Sequence, residues 1–231
     1  MEHKVIVTTH LVIALLCIVP FLASWVFFKA SWLKGSVGEF LVNRSVRGAL
    51  DRNAYRLIKN VTLPTRDGTT QIDHVVVSLY GVFVIETKTM KGVIDGARKQ
   101  RQWRQNIFGS SYAFQNPLHQ NYKHVKAIQA LLGIDENAIH SLVVFVGDVQ
   151  FKTAMPENVT QGVGYLQYIR SKTHTVFTPR DVSEMADIIE KARLARSRET
   201  NRQHTAHVKR IVAEDQNRTP PHRPARRAVA R

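Results

Sequence analysis

The sequence predicts a mixed α/β domain built on a central sheet, with one membrane-spanning helix before it and a basic tail after it. Three observations support this prediction. They are a β-branched hairpin pattern, apolar residues at helical spacing on both sides of it, and a long apolar run near the N-terminus. The domain is assigned to residues 35–195, a normal size for one hydrophobic core.

The N-terminal segment, residues 1–30, is predicted to anchor the chain in a membrane. Val5 to Phe28 is an apolar run of 24 residues, and as a helix it would be roughly 36 Å long, enough to cross a hydrocarbon core of about 30 Å. The apolar stretch of a signal peptide is only about 7–15 residues long, so an uncleaved anchor is favoured. More Lys and Arg follow the run than precede it, which favours a single-pass membrane protein with its C-terminal domain in the cytoplasm.

The first half of the domain is predicted to contain a helix followed by strands. A helix is expected over Ser36–Asp51, and Tyr55–Leu63 is expected to be a strand that ends at a turn at residues 65–68. Two β-branched runs then form a hairpin. Gly92–Gly96 is predicted to be a short strand, and Gln102–Arg104 is a candidate for another.

The second half is predicted to contain a helix, a strand and a last helix. The first of these helices begins at Asn116-Pro117, because proline suits the first helical position. Ser141–Val146 is a strongly apolar strand. Thr178 is expected to cap the last helix, with Asp181 three residues on. That helix is expected to continue, increasingly basic, to about Val212.

Two acidic residues and a lysine interrupt the hairpin, whose strands are otherwise apolar enough to be buried on both faces. If the turn is at residues 79–80, Asp73 lies opposite Glu86 with Cβ atoms about 5 Å apart. Lys88 shares the face of Glu86 because side chains alternate along a strand. Like charges at that distance repel unless a cation such as a hard divalent metal ion lies between them. The sequence therefore predicts a metal site suited to phosphodiester chemistry, although the same triplet on a solvated strand would have no function.

Two further residues are candidates for this site. Glu39 falls in the first turn of the first helix, where it either interacts with the helix dipole or faces the metal. Gln120 falls in the first turn of the next helix, as an ordinary polar residue or as a group that reaches the site. His74 is interpreted as structural because it alternates onto the face opposite Asp73. His119 and His124 are five apart, a poor spacing for two ligands on one helical face.

The C-terminal segment, residues 196–231, is predicted to be a basic, partly disordered tail. From Lys191 onward the chain has twelve Lys and Arg against three Asp and Glu, and residues 218–231 include three prolines. Such a tail binds nucleic acid through charge and counterion release, or anionic lipid at a membrane surface. A tail that only keeps the protein soluble is a third possibility.

The sequence lacks the motifs of several common enzyme classes. It contains no H-E-x-x-H, no G-x-x-x-x-G-K-[ST] and no G-x-S-x-G, which disfavours zinc proteases, P-loop nucleotide hydrolases and serine hydrolases of the common design. Cys17 is the only cysteine, so neither a disulfide nor a cysteine-based zinc site can form within one chain.

The order of the motifs resembles the NERD (nuclease-related) domain, which is assigned to the PD-(D/E)XK restriction-endonuclease-like superfamily. The similarity covers Gly35 to Leu132 in unbroken order. One difference is Thr89-Met90, which stands where the family often has an asparagine and an aromatic residue. The matching pieces are Gly38-Glu39, Thr70–His74, Gly81–Lys88, Gly92–Gly96, Trp103 and Asn116–Gln120.

The resemblance implies a restriction-endonuclease-like α-β-β-β-α-β core with a central mixed sheet, and Mg²⁺-dependent cleavage of nucleic acid. By position it makes Asp73 and Glu86 the metal ligands, Lys88 the catalytic lysine, and Glu39 and Gln120 supporting residues. We therefore expect a metal-dependent nuclease that acts on DNA rather than RNA, with Mn²⁺ as an alternative ion. The other possibilities are a catalytically inactive, membrane-tethered nucleic-acid-binding module and a bilayer-associated scaffold whose tail binds lipid.

Overall fold

A computed structural model of the protein describes residues 37–218. The predicted membrane-spanning run and the end of the tail, residues 219–231, lie outside this range. Within it, no helix is both long enough and apolar enough to cross a membrane.

The described residues form five α-helices, nine strands and a short 3₁₀-helix at Glu136–Ala138. The order of the first elements is helix, three strands, inserted strands, helix and strand, which fits the predicted α-β-β-β-α-β core. In chain order they are α1 (37–49), β1 (Tyr55–Thr65), β2 (Gly68–Ser78), β3 (Gly81–Thr89), β4 (Gly92–Asp95), β5 (Gln102–Ile107), β6 (Ser110–Gln115), α2 (Pro117–Leu132), β7 (Ile139–Val146), β8 (Val149–Phe151), β9 (Val159–Gln161), α3 (Gly164–Arg170), α4 (Pro179–Ala192) and α5 (Arg198–Arg218).

The central sheet is mixed, as predicted. Its strand order is β1-β2-β3-β7-β9; β1, β2 and β3 are antiparallel neighbours, whereas β3, β7 and β9 run parallel. The turn between β2 and β3 consists of Leu79 and Tyr80, and Ser78 pairs with Gly81. The Ser78 hydroxyl closes this turn by donating to the Gly81 carbonyl and accepting from the Tyr80 amide. The predicted hairpin register is therefore confirmed.

A second, four-stranded sheet has the order β6-β5-β4-β8. Trp103 on β5 is fully buried and stacks on Phe145 of β7, with ring centroids 6.2 Å apart. Its indole N–H donates to the Ala97 carbonyl. The sequence predicted β4 and β5, but it gave no signal for the short β8 or for the mostly exposed β6. This second sheet therefore packs against the parallel strands of the central sheet.

Helices cover both faces of the central sheet. The first face packs against α1 and α3, and the second against α2 and α4. Residues 81–86 of β3 are consequently all buried. The prediction that the hairpin strands are buried on both faces is confirmed, so every charged group on them needs a partner.

The caps of α2 and α4 agree with the sequence. The Asn116 side chain accepts from the Leu118 amide at the start of α2. Thr178 and Asp181 form a capping box at the start of α4. The predicted continuation of this helix to Val212 is wrong, because α4 ends at Ala192. The next residues leave the helical path, and the Leu194 amide donates to the Thr62 carbonyl of β1 before α5 begins.

An irregularity in β1 and β2 lies beside the predicted site. Lys59 pairs with His74 and Val61 with Ile72, but Asn60 and Asp73 between them are unpaired. Asn60 has a φ of 52°, in the left-handed region. On both strands the alternation of side chains shifts by one residue at this point. The buried cluster under α2 and α4 contains Ile58 and Val61 from β1, and Ile72 and Val75 from β2. Residues on one face of a regular strand are separated by an even number, whereas each of these pairs is separated by an odd number.

The backbone conformation of Asn60 gives a testable prediction. Replacement by valine should destabilise the fold by roughly 1–2 kcal/mol, because β-branched residues are strained in the left-handed region. Replacement by glycine should cost less. Urea unfolding followed by circular dichroism measures both. Lys59→Val, at the neighbouring regular position, is the control, and equal stability of the two valine variants would contradict the prediction.

Candidate active site

The structure brings the five predicted site residues to one end of the central sheet. Asp73 lies on β2, and Glu86 and Lys88 lie on β3. Glu39 comes from α1 on one side of the sheet, and Gln120 comes from α2 on the other. The site is therefore assembled from four elements, and each must be placed correctly for the residues to meet.

Lys88 links Glu86 to Gln120. Its Nζ atom donates to Glu86 Oε1 at 2.7 Å and to Gln120 Oε1 at 2.8 Å. Glu86 is only 3% exposed, whereas the Lys88 side chain is 20% exposed. An ammonium group has three N–H donors, so one donor of Lys88 has no hydrogen bond to the described residues. A fixed cation with a spare donor at the edge of solvent suits an anionic ligand.

Asp73 bridges across to the neighbouring strand. Its Oδ2 atom accepts a hydrogen bond of 2.7 Å from the Thr87 amide of β3. The β2–β3 ladder ends at His74 and Ile85, so Asp73 and Glu86 follow it as the next opposed positions without forming a ladder pair. The Asp73 carboxylate takes the place of the next backbone hydrogen bond between β2 and β3. It is thereby held beside the segment that contains Glu86 and Lys88.

The carboxyl groups of Asp73 and Glu86 differ in their tendency to ionise. Burial raises the pKa of Asp73 well above its usual range, and the charges of Glu86 and Glu39 raise it further. Burial also opposes ionisation of Glu86, but the Lys88 charge and the His124 side chain outweigh it and hold the Glu86 pKa below its usual range. Glu86 is thus the ionised member of the pair, and Asp73 retains a proton more readily.

Glu39 approaches the site because α1 packs closely on β3. A Cβ atom at Gly38 would collide with the Thr89 hydroxyl, so any other residue would force that side chain or α1 to shift. Burial raises the pKa of Glu39, and the charge of Glu86 raises it further. The Glu39 carboxyl is therefore close enough to interact with the acidic pair from the α1 side of the sheet.

His124 belongs to this site, although the sequence did not identify it. Its Nε2 atom lies 3.3 Å from Glu86 Oε2, and its Nδ1 atom is hydrogen-bonded to Thr70 Oγ1 at 2.7 Å. The spacing from His124 to His119, which is exposed, gave no indication of a site. The informative spacing was to Gln120, four residues earlier, because residues at that spacing share a helix face.

Asn121 fixes α2 on the sheet and was also missed. Its Nδ2 atom lies 2.9 Å from the Val84 carbonyl, 3.2 Å from the Leu142 carbonyl and 2.9 Å from Ser141 Oγ. Asn121 is fully buried and spans β3 and β7. Its position next to Gln120 therefore determines how α2 presents that side chain to Lys88.

His74 lies on the other face of the sheet, as the sequence indicated. It is fully buried, and its ring lies beside the Glu39 backbone of α1, a contact that favours the charged ring less than burial opposes it. Burial lowers its pKa to about 4, so the ring is neutral at physiological pH. Its position beneath α1 supports a packing role.

The donor atoms of the site fit a hard divalent cation in their chemistry. Glu86 Oε2 is buried, with the His124 ring 3.3 Å away, and the charge of Glu86 raises the free energy of ionising Asp73. No group of three or more His, Cys, Asp or Glu side chains within residues 37–218 has the spacing of a metal site. Mg²⁺ is usually held by only one or two carboxylates together with water and substrate oxygens, so two carboxylates are a sufficient protein contribution.

The raised pKa of Asp73 predicts a pH-dependent effect of Asp73→Asn. The folded protein keeps the Asp73 proton at pH values where the unfolded chain has released it, so ionisation opposes folding increasingly as the pH rises. The variant should be more stable than the wild type near neutral pH, by about 0.5–2 kcal/mol. The difference should shrink as the pH falls toward about 4.

Urea unfolding in the presence of a chelator, repeated across this pH range, measures the effect. Asp187→Asn, at an exposed position of α4, is the control and should show no such trend. An Asp73→Asn variant that is equally or less stable at neutral pH would contradict the assigned direction of the pKa.

Comparison with known proteins supports the nuclease-related character of the domain. A protein of Bacillus anthracis described as uncharacterized is 51% identical over 100 residues, which is 43% of this chain and 47% of the relative. The chain thus covers about half the length of that relative. No solved structure matches the chain significantly. The family model described as the nuclease-related domain, NERD, matches residues 34–146. This part of the chain, which contains all five predicted site residues, is therefore similar to the nuclease-related domain.

Proposed function

We propose that the protein is a metal-dependent nuclease that hydrolyses phosphodiester bonds of nucleic acid, with DNA as the expected substrate. The observation that supports this most directly is the position of Lys88. Its ammonium group is held by a buried carboxylate and an amide oxygen, beside a second carboxylate, and its third donor has no partner among residues 37–218. Such a fixed cation matches a phosphate group on which negative charge develops.

Asp73 and Glu86 would hold Mg²⁺, with Mn²⁺ as the alternative ion. When bound, the ion supplies Lewis-acid polarisation of the phosphate and lowers the pKa of water for attack. The protein's own contribution is to keep two carboxylates together despite their repulsion. The Thr87 amide orients Asp73, and Lys88 with His124 keeps Glu86 ionised.

Lys88 and its two acceptors form the second part of the proposed machinery. Glu86 Oε1 and Gln120 Oε1 fix the ammonium group, so its third N–H has one preferred direction. That N–H would orient the attacking water or stabilise the charge that develops on the phosphate. Gln120 is neutral, so it holds Lys88 without cancelling its charge. Glu39 would supply a further carboxylate from the α1 side.

The rest of the chain suggests where this chemistry takes place. The apolar run at residues 5–28 would tether the domain to the cytoplasmic side of a membrane. The basic tail would increase affinity for nucleic acid, or for anionic lipid, through its positive charge.

The nuclease proposal predicts that Asp73→Ala and Lys88→Ala each lower Mg²⁺-dependent cleavage by at least about 100-fold. Each variant should keep the circular dichroism spectrum of the wild type. Cleavage is measured with labelled single- and double-stranded DNA and RNA, in Mg²⁺, in Mn²⁺ and in chelator. Lys91→Ala, which removes an exposed lysine three residues away, is the matched control and should be fully active.

Full activity in both site variants would refute the assignment. A protein that binds nucleic acid equally well in Mg²⁺ and in chelator, and never cleaves it, would instead be the catalytically inactive binding module.

A further inference from the structure

The outward face of α1 exposes three large apolar side chains. Val37 is 51% exposed, Phe40 61% and Leu41 45%. Positions three and four residues apart lie on the same side of a helix, so these side chains form one patch at the start of α1. Scattered exposed apolar residues are ordinary, but a contiguous patch usually marks an interaction surface.

This exposure follows from the way α1 is fixed to the domain. Val42, Val46 and Leu50 on its inward face are buried against the central sheet, and Gly38 contacts Thr89. The Tyr165 hydroxyl also donates to the Val42 carbonyl. The helix cannot rotate to bury its outward face without losing these contacts.

Arginines continue the same face beyond the apolar patch. Arg44 and Arg47 are exposed and follow Phe40 at helical spacing. Arg47 also lines a cleft of about 400 Å³ at the C-terminal end of α1, which Arg52, Arg56 and the partly buried Tyr55 complete together with the inward-facing Val46 and Leu50. Within residues 37–218, no salt bridge involves any of these arginines. The neighbouring Asp51 carboxylate accepts from the Asn53 amide.

We propose that this outward face of α1 binds the surface of an anionic lipid bilayer. The apolar patch would enter the headgroup region, and the arginines would contact lipid phosphates, with the cleft accepting one headgroup. Apolar side chains next to cations on one helix face are typical of helices that lie in a membrane interface. This inference does not depend on the nuclease proposal.

The position of α1 in the chain supports a bilayer as the partner. Only residues 29–36 separate the apolar run from the start of the described helix. Even fully extended, these eight residues span at most roughly 30 Å. If the run crosses a membrane, α1 must therefore lie close to that membrane's surface.

The charge of this face argues against two other occupants. A second copy of the chain in a twofold dimer would place this arginine-rich face against itself, because such an interface uses the same patch on both subunits. The N-terminal segment could cover the apolar patch, but its linker contains Lys29 and Lys34 and no acidic residue. Neither occupant neutralises the four arginines, whereas an anionic bilayer does.

The test places a nitroxide label on the patch in the full-length protein. The natural cysteine is removed by Cys17→Ala, and Phe40→Cys supplies the labelling site. The protein is reconstituted into phosphatidylcholine vesicles with or without phosphatidylglycerol. Electron paramagnetic resonance then measures accessibility of the label to oxygen, which partitions into lipid, and to a nickel chelate, which stays in water. A label at Ser111, exposed on β6, is the control for solvent.

We expect the label at position 40 to be several-fold more accessible to oxygen than to nickel in vesicles that contain phosphatidylglycerol, while the Ser111 label stays accessible to nickel. Combining Arg44→Glu with Arg47→Glu should return the position 40 label to water. Arg104→Glu, an equal charge change at an exposed position of β5, should not. Leu41→Cys provides a second labelling position with the same expected result.

Two outcomes would overturn the proposal. Nickel accessibility at positions 40 and 41 equal to that at Ser111 in both lipid mixtures would place the face in water. Low accessibility to both reagents would show that protein covers the patch, either a second copy or the N-terminal segment.

Discussion

The buried carboxylate of Glu86 is the constraint on which the site depends. An unpaired charge in the middle of a sheet covered on both faces would be prohibitively costly, yet Glu86 is ionised because Lys88 and His124 contact its two oxygens. Lys88 requires Gln120 as a second acceptor, and His124 requires Thr70. One buried charge thus determines the position of groups on three different elements.

The irregularity at Asn60 and Asp73 shows how the fold accommodates a second carboxylate. A regular β2 would pair Asp73 with both neighbouring strands. Instead, the ladder opens on both sides of Asp73, and its side chain accepts from the Thr87 amide. The left-handed Asn60 absorbs the distortion on the edge strand. The strand pairing is therefore interrupted where the acidic residues meet. Strained backbone of this kind often occurs at functional sites.

Sequence patterns predicted the hairpin, its turn, the helix caps and the five residues at the site, because strand alternation and capping are local properties. They did not reveal His124 or Asn121, whose roles depend on how α2 packs on β3 and β7. The end of α4 was also missed, because Leu194 leaves the helix to bond with β1, more than 130 residues earlier in the chain. Contacts between distant segments have no signature in a single local pattern.

The three hydrogen bonds of Asn121 to β3 and β7 have a consequence for how the site could be disrupted. Gln120 and His124 flank Asn121 on one rigid helix, and they contact Lys88 and Glu86 respectively. A tilt of α2 would therefore disconnect the lysine and the carboxylate together, not one after the other. A change at Asn121, which lies outside the constellation, would then separate all of these groups at once while every acidic residue stayed in the sequence.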